Sequence, residues 1–218
     1  MPQFNAADIR GIVFDLDGTL YVSERFAAEI QATSIAYIAR LKGLSQEDAR
    51  QLIAVTRQKL TEESGMVQTI SAVCADLGGN IQELHRTFEH TLRPEAYLVQ
   101  DERVIELLER LAERFQLYIY TNNNRVLTTR IMDYLGLDGL FRGVFTIDAT
   151  WRGKPNEDMV KVLLTEIGLS PNEALFVGDR YDVDLRVPEQ LGCPVYLSQT
   201  LEQLLRLEEL LIPISEQG

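Results

Sequence analysis

Asp15 and Asp17 stand one residue apart at the end of the apolar run Ile12-Val13-Phe14 and are followed at once by Gly18-Thr19. Two carboxylates crowded at a strand end are poor core material and well suited to holding a cation against a phosphate. If Gly18 supplies a sharp turn, both face the same way and take different work. An exposed aspartate near its ordinary pKa of roughly 3.9 is ionised at neutral pH and can attack phosphorus, which makes Asp15 the candidate nucleophile. Burial and a neighbouring anion raise a carboxyl pKa, so Asp17 is the candidate for giving a proton to a leaving alkoxide and then taking one from water. The competing reading of the pair alone is a helix cap or solvated turn.

Three further clusters follow apolar runs or open helices. Tyr120-Thr121-Asn122-Asn123-Asn124 precedes a helix starting near Arg125. A hydroxyl and backbone N–H groups at a helix start bind phosphate oxygen, so Thr121 and Asn122 are candidate phosphate ligands, although an ordinary N-cap has the same composition. Gly153-Lys154-Pro155 carries one of only four lysines (42, 59, 154 and 161) in a chain that otherwise uses arginine. Its compact ammonium can pair with both Asp15 and a transferring phosphate. Gly178-Asp179-Arg180-Tyr181-Asp182-Val183-Asp184 adds three carboxylates after another apolar run. Hard oxygen donors around a nucleophilic aspartate suit Mg²⁺, with Asp179 as direct ligand. Of Asp182 and Asp184, one orients Lys154 or metal-bound water and the other caps the next helix.

The elements that must position these residues can be read from periodicity. Short β-prone runs at 9–14, 117–120, 144–147, 174–177 and 195–197 alternate with helical patterns over 125–135, 156–167 and 182–191, each closed by a glycine. Strand–helix–strand repetition predicts a parallel α/β sheet. Between Phe26 and Thr91 the apolar spacing is helical throughout, with breaks at Lys42-Gly43, Ser64-Gly65 and Gly78-Gly79-Asn80 that divide it into about four helices. An all-helical insertion directly after the first strand sits above the strand ends, where open α/β sheets bind ligands. The predicted organisation is a core of residues 1–22 and 95–218 with a helical cap of residues 23–94.

Composition narrows the partners. The chain has 218 residues, 45% of them hydrophobic, and a net charge of -12, which argues against nucleic acid held on a basic surface. No apolar run reaches the ~18 to 20 residues of a membrane span, and the N-terminus lacks a signal-peptide layout, so a cytoplasmic protein is expected. Cys74 and Cys193 have no metal-ligand spacing and read as reduced and structural; His85 and His90 suggest no zinc site either.

With Asp-x-Asp-Gly-Thr, strand-Thr-Asn, Lys-Pro and Gly-Asp-x-x-x-x-Asp in order over almost its whole length, the chain resembles the haloacid dehalogenase-like hydrolase superfamily. The resemblance implies a Rossmann-like core with a helical cap, Mg²⁺ dependence and a phospho-aspartyl intermediate on Asp15. It further implies that Asp17 is the acid/base and lends its backbone carbonyl to the metal, that Thr121 and Lys154 bind phosphate, and that Asp179 completes the metal site. Asp17 favours a phosphatase over a dehalogenase, since a departing halide needs no proton. Arg180 and Val187-Pro188 depart from the superfamily pattern; the first alters the field at the phosphate and the second shortens or kinks its helix. The expected activity is Mg²⁺-dependent hydrolysis of a small phosphorylated metabolite by a monomer or homodimer. The alternatives are phosphoryl transfer to another alcohol, dehalogenation, and a non-catalytic phosphate-binding module. Arg57, Lys59, Thr61, Glu62, Met66 and Gln68 near the Ser64-Gly65 break are the predicted pocket residues of the cap, with Trp151 and Arg152 at the entrance.

Overall fold

Successive residues of a strand face opposite sides of a sheet, so an apolar run without alternation must be covered on both faces. The computed structural model, which describes residues 5–212, has that layout. Strands β1 (Gly11–Phe14), β2 (Gln116–Tyr120), β3 (Gly143–Phe145), β4 (Ala174–Gly178) and β5 (Val195–Leu197) form one parallel sheet in the order β3-β2-β1-β4-β5. Ile12, Phe14, Leu117, Ile119, Leu175 and Val177 supply one buried layer. Val13, Tyr118, Tyr120, Ala174 and Phe176 supply the other. Each fully buried Ile, Leu, Val or Phe contributes roughly 1.5–3 kcal/mol, so both layers are needed to hold the strand ends that carry the chemistry.

Around the sheet lie α5 (Glu102–Ala112), α6 (Arg125–Leu135), α7 (Glu157–Ile167), α8 (Arg186–Gln190), α9 (Leu201–Leu205) and α10 (Leu207–Leu211). Helix α5 shows the logic: Asp101 caps its first turn, and Val104, Leu107, Leu108 and Leu111 form the stripe that packs inward. The apolar run at 144–147 splits, because β3 stops at Phe145 and Ile147–Ala149 turns into a short 3₁₀ segment. The stretch expected as one helix over 182–191 is also two pieces. Tyr181–Leu185 winds as a π-helical turn, closed by Arg186 N–H to the Tyr181 carbonyl, and α8 follows. Pro188 has no N–H to continue the ladder back to residue 184, which fits the break between the pieces.

The helical block contains four helices, α1 (Glu24–Lys42), α2 (Gln46–Ser64), α3 (Ile70–Asp76) and α4 (Ile81–Thr91), N-capped by Ser23, Ser45, Thr69 and Asn80. Ile35, Ile38, Ala49, Ile53, Val73, Cys74, Leu84 and Phe88 are buried among them. Polar ties fix the block against the sheet side. Asn124 Nδ2 donates to the His85 carbonyl at 3.1 Å and to Glu89 Oε1 at 2.8 Å, and Arg186 Nη1 donates to the Gly65 carbonyl at 2.9 Å. Cys74 and Cys193 are free and buried, with thiols pushed up to about 11 and about 12 by desolvation. No described helix is long and apolar enough to cross a membrane.

Candidate active site

The sheet register assembles the site. Phe14 is level with Ile119 on one side and Val177 on the other, so the next residues, Asp15, Tyr120 and Gly178, emerge together at the carboxyl end of the three central strands. Asp15 N–H still bonds the Val177 carbonyl at 2.8 Å. Gly18 then takes φ +86°, a conformation in which an L side chain is strained, and its N–H closes the turn onto the Tyr21 carbonyl at 2.9 Å. The turn carries Asp17 beside Asp15 and leaves room for Asp179; a Cβ on Gly18 would lie 2.6 Å from Asp179 Oδ2.

Asp15 is buried, at 4% exposure, and not the exposed aspartate expected from sequence. The reason is its place at the centre of the sheet, walled by both neighbouring strands and the turn after it. Desolvation pushes its carboxyl up to about 7, against the pull of the Lys154 ammonium and with a further push from Asp184. Thr19 Oγ1 donates to its Oδ2 at 3.3 Å. Lys154, at 3% exposure, spends all its donors here: 2.5 Å to Asp15 Oδ1, 2.6 Å to Asp184 Oδ1 and 2.8 Å to the Tyr120 carbonyl. These two carboxylates hold the Lys154 pKa above its ordinary value despite burial. Asp184 packs its side chain over Gly178, where a Cβ would meet the Asp184 Cβ at 2.5 Å, and its Oδ2 accepts from Arg180 N–H at 3.1 Å.

Asp17 faces a different set of donors. Tyr21 Oη donates to Oδ1, and Asn123 Nδ2 donates to Oδ2 at 2.7 Å, with Thr121 Oγ1 at 3.5 Å. Burial and the Asp17 carboxylate hold the Tyr21 hydroxyl well above its ordinary pKa, so it stays a donor. Nothing in the local sequence marks Tyr21 or Asn123 for this role. Asn123 sits in the Tyr120–Asn124 cluster, but only the tertiary contact distinguishes it from its neighbours. Asn122 turns away from the carboxylates and works on the lysine loop. Its Oδ1 accepts from Lys154 N–H at 2.6 Å and its Nδ2 donates to the Lys154 carbonyl at 3.3 Å. The pair left open in sequence also separates: Asp184 reaches Lys154, whereas Asp182 pairs with Arg186 at 2.6 Å, with about a third of its side chain exposed, and stays out of the cluster. The π-helical turn orients the two residues differently, which one helical spacing does not reveal.

Carboxylate oxygens of Asp15, Asp179 and Asp184 lie within 4.8 Å of one another. Asp179 Oδ1 is buried without a hydrogen-bond partner, and desolvation pushes its carboxyl up to about 6. Crowded oxygen donors with an unmatched buried acceptor fit a hard divalent cation such as Mg²⁺. The Asp17 carboxylate lies outside that group and is held by Tyr21, Thr121 and Asn123 instead.

A cavity of about 410 Å³ opens from Asp17, Asp179 and Arg180 and runs beneath the helical block. Its far wall is Phe26, Ala27 and Ile30 of α1, Thr69 to Ser71 at the head of α3, and His85 and Phe88 of α4. None of the six residues predicted near the Ser64-Gly65 break lines it. Lys59 pairs with Glu63, Gln58 with Glu62, and Gln68 with Ser64, because this part of α2 faces outward. Trp151 packs its ring against His85 at 5.9 Å, bridging the two parts of the molecule, while Arg152 points outward to Asp158 at 3.6 Å.

A five-stranded parallel sheet with helices on both faces, a helical insertion after β1 and clustered polar and charged side chains at the carboxyl ends of its central strands defines a Rossmann-like α/β protein with its candidate site at the strand ends. Residues 9–192 match the haloacid dehalogenase-like hydrolase family, and the chain belongs to it. It is 30% identical over 179 residues to pyrophosphatase PpaX of Bacillus pumilus, covering 81% of this chain and 77% of that one. It is 27% identical over 197 residues to glyceraldehyde 3-phosphate phosphatase of Methanocaldococcus jannaschii, covering 84% and 82%. The fold is shared with a HAD phosphatase from Thermococcus onnurineus at TM-score 0.60 and 20% identity, over 94% and 98% of the two chains.

Proposed function

We propose that this hydrolase is a phosphoric monoester hydrolase that cleaves a small phosphorylated metabolite through a phospho-aspartate on Asp15. The observation that carries the reading is the buried Asp15–Lys154–Asp184 arrangement beside Asp17 at the end of the cavity. Asp15 attacks phosphorus and the ester P–O bond breaks. Asp17 gives the departing alkoxide its proton, then takes one from the water that attacks the phospho-aspartate, returning free phosphate and Asp15. Lys154 pulls Asp15 toward its anionic form against the desolvation and holds it in place, and Thr121 offers its hydroxyl to a phosphate oxygen. Asp15 and Asp179, with Asp184 behind them, would hold Mg²⁺, which when bound neutralises charge on the phosphoryl group. Residues 23–94 act as the cap, with the leaving group between the apolar wall of α1 and the Ser71–His85 pair, whose Oγ and Nε2 are 3.1 Å apart. Both related phosphatases act on small phosphorylated compounds, and buried reduced thiols suit a cytoplasmic setting.

The test is phosphate release from a generic aryl phosphate with Mg²⁺. Wild-type protein should turn it over and Asp15→Asn should not. An Asp15→Asn protein working at full rate would sink the mechanism.

A further inference from the structure

The cavity changes character along its length. Asp17, Asp179 and Arg180 line the end at the sheet, and Arg180 already pairs with Asp179 at 3.5 Å and with Asp184 at 3.9 Å. Beneath the helical block the wall is apolar, built from Phe26, Ala27 and Ile30 of α1, Ile70 of α3 and Phe88 of α4. Among the described residues, the one charged side chain that the block adds to this lining is Glu24, an exposed carboxylate that repels a second anion. At about 410 Å³ the space has the size of a small-molecule pocket, more than a phosphoryl group fills. Two buried polar side chains interrupt the apolar wall, Ser71 at 5% exposure and His85 at 2%. The His85 ring sits edge-on to Phe88 at 5.3 Å and to Trp151 at 5.9 Å, its Nε2 lies 3.1 Å from Ser71 Oγ, and its Nδ1 is buried with no hydrogen-bond partner. Desolvation keeps this ring neutral, and a neutral ring with its proton on Nε2 leaves no donor unmatched, because Nε2–H bonds Ser71 Oγ. The Ser71 O–H then has no acceptor among the described residues and is free for a ligand oxygen.

We propose that this end of the cavity selects phosphate esters whose leaving group is uncharged, lays an apolar face against α1 and α4, and presents a hydroxyl or carbonyl oxygen to Ser71. The preferred substrate is then an alcohol monophosphate with a single anionic group, not a bisphosphate, a pyrophosphate or a phosphorylated acid. This selectivity rests on the phosphatase reading for its role in turnover, but not for its binding chemistry. Calorimetry in Mg²⁺-containing buffer with methylphosphonate, benzylphosphonate, its ortho, meta and para hydroxy derivatives, and 3-phosphonopropionate separates the two. Wild-type protein should bind benzylphosphonate about tenfold or more tightly than methylphosphonate, at least one hydroxy derivative about threefold tighter again, and 3-phosphonopropionate no tighter than methylphosphonate. Ala27 is exposed, so Ala27→Asp sets a charge on the apolar wall without entering the packed core, and it should remove the benzyl advantage. Ser71→Ala should remove the hydroxyl gain, read as the ratio of hydroxybenzyl to benzyl affinity. Equal wild-type affinity for methylphosphonate and benzylphosphonate, a benzyl advantage that survives Ala27→Asp, a hydroxyl gain missing from wild type or kept by Ser71→Ala, or tighter binding of 3-phosphonopropionate than of methylphosphonate would overturn the selectivity. Aryl phosphate turnover by the wild-type protein is read separately. Its absence would reject the phosphatase reading and leave the affinity ratios intact.

Discussion

Replacing Lys154 by Met removes a cation that three buried acceptors share: Asp15 Oδ1, Asp184 Oδ1 and the Tyr120 carbonyl. Methionine fills much of the same volume, so the lost term is electrostatic. Breaking a buried ion pair by deleting one partner costs about 3–5 kcal/mol, and here two carboxylates are stranded within 4.8 Å of each other. For a chain of this size each kcal/mol lowers Tm by ~2–4 °C, so the expected fall is roughly 6–20 °C. Urea and thermal unfolding in EDTA measure it without a contribution from bound metal. Asp184→Asn added to Lys154→Met should restore part of the loss, because one of the two opposed anions is gone. Asp182→Asn serves as the contrast: its partly exposed pair with Arg186 is worth at most about 1 kcal/mol. A Lys154→Met protein within about 1 kcal/mol of wild type, or a double variant as unstable as the sum of its parts, would refute the buried three-way pairing.

Three further outcomes are expected. His85 is 2% exposed and desolvation lowers its pKa to about 4, from an ordinary 6.5, so it is neutral in the fold near pH 7. Below 6.5 the unfolded chain takes up a proton that the folded chain refuses, and stability is lost as pH falls. The stability gap between wild type and His85→Gln should therefore shift by about 2 kcal/mol against wild type from pH 7.5 to pH 5; a pH-independent gap in urea titrations contradicts it. Gly18→Ala puts a Cβ 2.6 Å from Asp179 Oδ2 at φ +86° and should weaken Mg²⁺ binding by about tenfold or more, read by calorimetry. Asn122→Ala frees both backbone groups of Lys154 and should lower kcat/KM by about tenfold, with wild-type kinetics arguing that the loop needs no such tether.

Much of the fold was legible because its determinants are local. Apolar runs bounded by glycine and polar clusters gave the strands, and the polar cluster ending in Asn124, whose Oδ1 accepts from the N–H three residues on, marked where a helix starts. Where two local rules competed the reading blurred, as over 182–191, where Pro188 opposes an otherwise helical pattern. The pocket of the helical block was misplaced for a related reason. A helical period says that a face is buried, and not which neighbour covers it, so the polar end of α2 was indistinguishable from the α1, α3 and α4 residues that line the cavity.

By itself the sequence determined that Asp15, Asp17, Thr121, Lys154 and Asp179 follow strands or open helices in the order of a phosphate-handling enzyme. The tertiary structure decided what each one touches. Lys154 and Asp15 are 139 positions apart and meet at 2.5 Å because the parallel register sets the end of β2 beside Asp15 and Asn122, just past β2, holds the Lys154 loop there. The same register buries Asp15, which a strand-end position alone does not. Choosing Asp184 over Asp182, and Asn123 over Asn122 at Asp17, depended on side-chain directions set by a π-helical turn and a loop. Spacing along a chain fixes local geometry within a turn or two, whereas the field at a reacting carboxylate is summed over everything the fold packs around it.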